Sequence, residues 1–228
     1  MFSGISDIGS DIIQTMESKS KLLKENEDLK RKIDLLELNI IQYKNLEVEN
    51  IKLKKLLNFV EKINTKKLDY VTGKVIGYSG DNWINSLIIN LGSNDGIKEG
   101  DIVVADGYFA GIISEVGLFS STVLLASNKN FYLTVRTKKT REIAFFQGID
   151  IDSGILKYVK PEQDIRIGDI VETAGIDGYP AGIPIGMVKE VSYEEGNFFQ
   201  DIKVKLFLYP YNLEYVVVLK KPENLKKK

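Results

Sequence analysis

Two acidic pairs, Asp150 with Asp152 and Glu194 with Glu195, and one glycine-rich stretch, GDIVETAGIDGYPAGIPIG at 168–186, are the places where residue type and spacing suggest chemistry. Paired carboxylates are the minimum equipment of a general acid–base hydrolase. A glycine-rich loop is the usual cradle for a phosphate. Neither reading survives closer inspection well. The chain holds 32 acids, so two close pairs in turn-like sequence are far more often solvated than catalytic. A phosphate loop needs GxxxxGK[ST] or GxGxxG opening a helix, and neither spacing occurs in 168–186. Turn geometry accounts for the glycines instead. Tyr179-Pro180-Ala181-Gly182 fits a type I turn, and Asp177-Gly178 is a turn pair.

The chain has neither Cys nor His. Thiolate nucleophiles, Ser-His-Asp triads, histidine bases and Cys/His metal sites are therefore excluded. No cofactor, metal site or small-molecule substrate is expected. The formal charge is -1, which gives no field to attract a nucleic acid, so none is expected as a partner. Phe131, Tyr132, Phe145 and Phe146 have the chemistry to stack bases, but alternation assigns such residues to a core. Phe198-Phe199 follows a Glu-Glu-Gly-Asn turn and is either an exposed pair or a strand start. No apolar run is long enough to span a bilayer, and MFSGISDIGSDIIQTM lacks the marks of a signal peptide.

The phrase GDIV occurs twice, at Gly100-Asp101-Ile102-Val103 and Gly168-Asp169-Ile170-Val171. Both copies run on to GY-x-AG and end in Glu-Val. Two explanations stand: a duplicated unit, or a generic way to turn into a barrel strand. Gly100, Asp101, Gly168, Asp169, Pro180, Gly182, Pro184 and Gly186 form the expected set of structural turn residues.

Two kinds of element must carry these residues. From Ile5 to Ile63 no proline interrupts the chain, and apolar residues recur every three or four positions. The seam runs through Ile12, Leu22, Asn26, Leu29, Ile33, Leu36, Ile40 and Tyr43. It continues after a three-residue slip through Leu46, Asn50, Leu53 and Leu57. A narrow apolar stripe on a Lys/Glu-rich helix is a coiled-coil seam, and the slip is a stammer. Asn26 and Asn50 on that seam favour a fixed register in a parallel dimer. Only one such helix exists, so its partner is a second chain. From Leu68 onward the period becomes two, and twelve short strands separated by Gly, Asn, Asp and Ser follow. That pattern predicts two small antiparallel β-barrels behind a long N-terminal α-helix.

Several motifs occur in one order: ENEDLKRKI (25–33), VENIKLKKLL (48–57), NLGSNDGIKEGDIV (90–103), SSTVLLAS (120–127) and GDIVETAGIDGYPAGIPIGMV (168–188). Together they resemble the MreC family of bacterial rod-shape-determining proteins, from about Ile12 to Leu219. Ala174 departs from the serine commonest in the family. The resemblance implies residues 1–66 as a dimerising coiled coil. It implies 67–126 plus about 195–221 as a first barrel and 127–194 as a second, one of the two chymotrypsin-like in fold, and 222–228 as a basic tail. It further implies a membrane-tethered homodimeric scaffold of the cell-elongation machinery, without catalysis. The implied place is the outer face of the cytoplasmic membrane, held by a transmembrane helix that lies upstream of this sequence. The implied partners are MreD, through the membrane MreB, and a class B penicillin-binding transpeptidase. The competing readings are a coiled-coil-tethered hydrolase using Ser and Lys or paired carboxylates, and a generic barrel binding module.

Overall fold

A computed structural model of the chain describes residues 24, 26–53, 69–79, 86–176, 178–194 and 196–221. Ile12, Leu22, Leu57, Asp177, Glu195 and the 222–228 tail lie outside them. The chain divides into two compact units, one ending at Leu53 and one beginning at Lys54.

In the first unit, residues 26–53 form one helix, α1. Its seam residues Asn26, Leu29, Ile33, Leu36, Ile40, Tyr43, Leu46, Asn50 and Leu53 are all exposed in the single chain. Exposed apolar residues also lie off that seam, at Leu35, Leu38 and Ile41.

The second unit holds twelve strands: β1 (Tyr70–Ser79), β2 (Ser86–Ile89), β3 (Ile102–Ala105), β4 (Tyr108–Val116), β5 (Ser121–Leu125), β6 (Tyr132–Thr137), β7 (Ile143–Asp150), β8 (Ser153–Val159), β9 (Ile170–Thr173), β10 (Pro184–Ser192), β11 (Gln200–Leu206) and β12 (Tyr215–Leu219). They close into two six-stranded antiparallel barrels, ordered β1-β12-β3-β4-β5-β2 and β10-β11-β8-β7-β6-β9. The segment read from the sequence as a single return, about 195–221, is divided. β11 pairs with β8 and β10 in the second barrel, while β12 pairs with β1 and β3 in the first. The physical reason is local: β10 and β11 are a hairpin, and a hairpin partner is the nearest strand available.

Two cores follow. One fills barrel 1 with Leu87, Ile89, Val103, Ile113, Val123, Val216 and Val218 among others. The other fills barrel 2 and extends without a break to Ile102, Val104, Phe109, Val217 and Leu219. Strands β3 and β12 are therefore buried on both faces, one toward their own barrel and one toward its neighbour. Their sequences, IVVA and YVVVL, are continuous apolar runs for that reason, while β5 and β11 alternate. Phe109, Phe131 and Phe146 bridge the barrels, with ring centroids 5.6 and 6.3 Å apart. Phe131 and Phe146 are thus core residues, whereas Tyr132 and Phe145 face solvent.

Candidate functional site: an aromatic interaction surface

The repeated GDIV has one structural meaning in both places. Gly100 and Gly168 have φ of 84° and 90°, which only glycine adopts cheaply. The Gly100 N–H donates to the Ile113 carbonyl, and the Gly168 N–H to the Val188 carbonyl, both at 2.9 Å. Asp101 caps its turn by accepting the Lys98 N–H at 2.8 Å, and Asp169 accepts the Arg166 N–H at the same distance. Bulges follow at matching places, one between Ile113 and Glu115 and one between Val188 and Glu190. A Cβ on Gly111 would strike the Leu124 carbonyl, and on Gly186 the Lys205 carbonyl. The two rings then correspond in strand order, β1 to β7, β2 to β8, β3 to β9, β4 to β10, β5 to β11 and β12 to β6. Barrel 1 is barrel 2 permuted, with its leading strand supplied by the C-terminus. The structural match favours a repeated unit.

The second shared phrase, GY-x-AG, is not equivalent. The ladder matches Gly111 to Gly186, not to Gly182. In the first copy Asp106 and Gly107, both at positive φ, make a two-residue hairpin turn. In the second the connection is longer, and its Tyr179 lies against barrel 1. Tyr179 packs against the shared core, and the Lys221 ammonium sits 4.8 Å from the centre of its ring. The type I turn expected at Tyr179–Gly182 gives way to another arrangement. The Gly182 N–H bonds the Thr173 carbonyl at 3.0 Å, and the Thr173 hydroxyl donates to the Pro180 carbonyl at 2.6 Å.

Asp150 and Asp152 are not assembled for chemistry, and Glu195 lies outside the described residues. Asp152 pairs with Lys205, the Asp150 carboxylate accepts the Ile151 N–H, and Glu194 is exposed. A buried carboxylate that sequence reading passed over is Glu172. It is held by Arg136 at 2.7 Å, directly opposite on β6, with Arg141 at 3.5 Å. That set is closed by its own ion pairs and offers no open position to a substrate. Among the described residues no group of acids could hold a metal ion.

The surface that stands out is aromatic. On barrel 2 the rings of Phe145, Tyr158 and Phe199 meet edge to face at 5.9 and 5.6 Å, and Phe198 beside them is 86% exposed. Tyr158 sits in a β8 bulge opposite β11 with φ of 60°. The bulge places an extra residue on β8, and the left-handed backbone turns its ring outward to join the others. Exposed contiguous aromatics of this kind mark interaction sites. The sequence signal was Phe198-Phe199, followed by the buried Gln200 that ends the turn.

Fold and surface together define a double-barrel protein: two packed barrels with an exposed aromatic patch and, as a separate unit, a helix bearing uncovered apolar side chains. A family profile described as rod shape-determining protein MreC, barrel core, matches residues 75–220. Cell shape-determining MreC proteins of Listeria monocytogenes and Bacillus subtilis are 29% and 31% identical over 86% and 79% of this chain. The Escherichia coli relative is 27% identical over 91%. The chain belongs to the MreC family. It spans 68%, 66% and 56% of the Listeria, Bacillus and Escherichia relatives respectively. A solved structure named MreC matches 77% of this chain and 99% of its own, with 25% identity and a TM-score of 0.71. The MreC chain in a complex with penicillin-binding protein PBP2 from Helicobacter pylori shares the fold, with 20% identity and a TM-score of 0.54 over 67% of this chain.

Proposed function

We propose that this chain is the outer part of a dimeric, membrane-tethered, non-catalytic scaffold of the cell-elongation machinery, organising peptidoglycan synthesis enzymes and so maintaining cell shape. The observation that carries the reading is the Phe145–Tyr158–Phe199 patch, an exposed anchor on a barrel whose Glu172 and Asp152 are held in ion pairs. The helix seam supplies the dimer. Leu29, Ile33 and Leu36 are each more than half exposed in the single chain, and a second copy in parallel register covers them. The H. pylori MreC that shares this fold was solved in complex with the penicillin-binding protein PBP2, which supports a class B penicillin-binding transpeptidase as a partner; its docking at the patch is our own assignment. MreD and, through the membrane, MreB complete the assembly.

Sedimentation and binding measurements test this. The chain should sediment as a dimer at tens of micromolar, and the triple change of Leu29, Ile33 and Leu36 to Ser should make it monomeric. Phe199→Asp should weaken transpeptidase binding about tenfold or more while leaving the melting curve unchanged. A wild-type monomer removes the seam from the proposal; unaltered transpeptidase binding by Phe199→Asp removes the patch.

A further inference from the structure

The chain crosses between the barrels twice, outward through residues 126–131 and back through 207–214. A small cavity touches both crossings, walled by Phe109, Ala126, Ser127, Leu208, Pro210 and Leu213 among others. It sits where the two cores meet. Phe109 and Ala126 belong to the core of barrel 2, and Leu213 to that of barrel 1. About 10 Å³ of it is open to the centre of a water-sized sphere, which is room for one water molecule.

Ser127 is the one polar residue in that wall. It is 6% exposed. Its hydroxyl is the single buried side-chain polar atom among the described residues without a hydrogen-bond partner. Its peptide group shares that condition. Ser127 is the third residue of a turn closed by the Asn128 N–H on the Leu125 carbonyl at 3.0 Å. Such a turn bonds its first and fourth residues and leaves the inner N–H groups to find partners elsewhere. The Ala126 N–H finds the Ala110 carbonyl at 2.9 Å. The Ser127 N–H and C=O bond nothing among the described residues, and neither do those of Leu208 on the other crossing.

A cavity walled by hydrocarbon alone stays dry. Dryness here would leave a serine hydroxyl buried with no bond, which costs more than immobilising one water. A water needs two to four polar partners. The wall supplies a hydroxyl that both donates and accepts, with unpaired peptide groups on each crossing. We propose that the cavity is a hydration site. One water molecule bonds the Ser127 hydroxyl and a peptide group of Leu208, and so ties the two crossings between the barrels together. The site is separate from the aromatic patch and independent of any partner placed there.

Crystallography of the chain at a resolution that orders solvent, with urea unfolding of variants, tests this. One ordered water should lie within hydrogen-bond distance of Ser127 Oγ and of a Leu208 peptide atom. Crystals of Ser127→Ala should lose it, and the urea midpoint of that variant should fall below that of the unaltered chain. An ordered cavity without water density, or a Ser127 hydroxyl bonded directly to a protein carbonyl, would overturn the proposal. So would a water that stays in place in Ser127→Ala. A Ser127→Ala midpoint equal to or above that of the unaltered chain would also overturn it, since removing a hydroxyl that is buried dry relieves a cost. Should Ser127→Ala not fold, Ser127→Cys, whose thiol is only a weak donor, is read by the same two measurements.

Discussion

Barrel 1 and barrel 2 share a ring of six strands but dress it differently. In barrel 1 the pair Val104 and Val217 faces the neighbouring barrel and is fully buried. At the same ladder position in barrel 2 stand Glu172 and Arg136, buried as an ion pair. Barrel 1 gives its outer face to the inter-barrel contact; barrel 2 keeps a phenylalanine patch. One repeated scaffold therefore supports two surfaces, because its inward residues fix the ring while its outward residues are free to diverge.

The largest test of the permuted repeat is removal of its borrowed strand. Ending the chain after Asn212 strips Val216–Leu219, all buried, from both cores. Each such side chain contributes about 1.5–3 kcal/mol, and the sum rivals a domain's whole stability of roughly 5–15 kcal/mol. The truncated chain should show no cooperative thermal transition by circular dichroism. The reciprocal experiment sharpens the comparison. The Lys220 N–H already bonds the Asp69 carbonyl at 2.9 Å, so a barrel unit rewired to start at Tyr209 and run from Lys221 through a short linker into Asp69 should fold. Failure of that permutant in a chemical-shift comparison would break the equivalence of β12 and β6.

The buried pair comes next. Glu172→Val alone leaves Arg136 without its main partner and should cost about 3–5 kcal/mol in urea unfolding. The double change of Glu172 and Arg136 to Val copies barrel 1 and should recover most of that loss. A double variant as unstable as the single would mean that the ion pair has no apolar substitute in barrel 2.

A smaller contrast separates the two capping aspartates. Asp101 is buried and accepts backbone N–H groups from both Lys98 and Lys221, at 2.8 and 2.9 Å. Asp169 is half-buried and caps only Arg166. Asp101→Ala should cost about 1–3 kcal/mol and Asp169→Ala about 1 kcal/mol or less, by denaturant midpoints. Equal losses would erase the distinction.

The smallest effect is alkaline. Because burial, reinforced by the Glu214 carboxylate, holds the Tyr78 phenol above its ordinary value of 10.0, the folded state keeps its proton longer than the unfolded chain. Its contribution is complete below pH 10 and fades as pH rises beyond it. Tyr78→Phe should flatten the fall in melting temperature above pH 10; an unchanged slope would assign that fall elsewhere.

Much of the fold was legible in local pattern. Short alternating or β-branched runs bounded by Gly, Asp and Asn gave all twelve strands, because residue pattern and turn chemistry are properties of neighbouring residues. The repeated GDIV was legible as a phrase, but GY-x-AG misled, since short identities do not report which carbonyls meet. The continuous apolar runs of β3 and β12 held the signal of double burial, and they read as ordinary strands until the neighbouring barrel was in place. Glu172 looked like one acid among many for the same reason. The sequence by itself determined the helix, the strands, the two Gly-Asp turns and the absence of thiol and imidazole chemistry. Only the tertiary structure decided which barrel owns β11 and β12, which aromatics face solvent, and that Arg136 meets Glu172. Those depend on contacts between residues far apart in the chain, which no local spacing records.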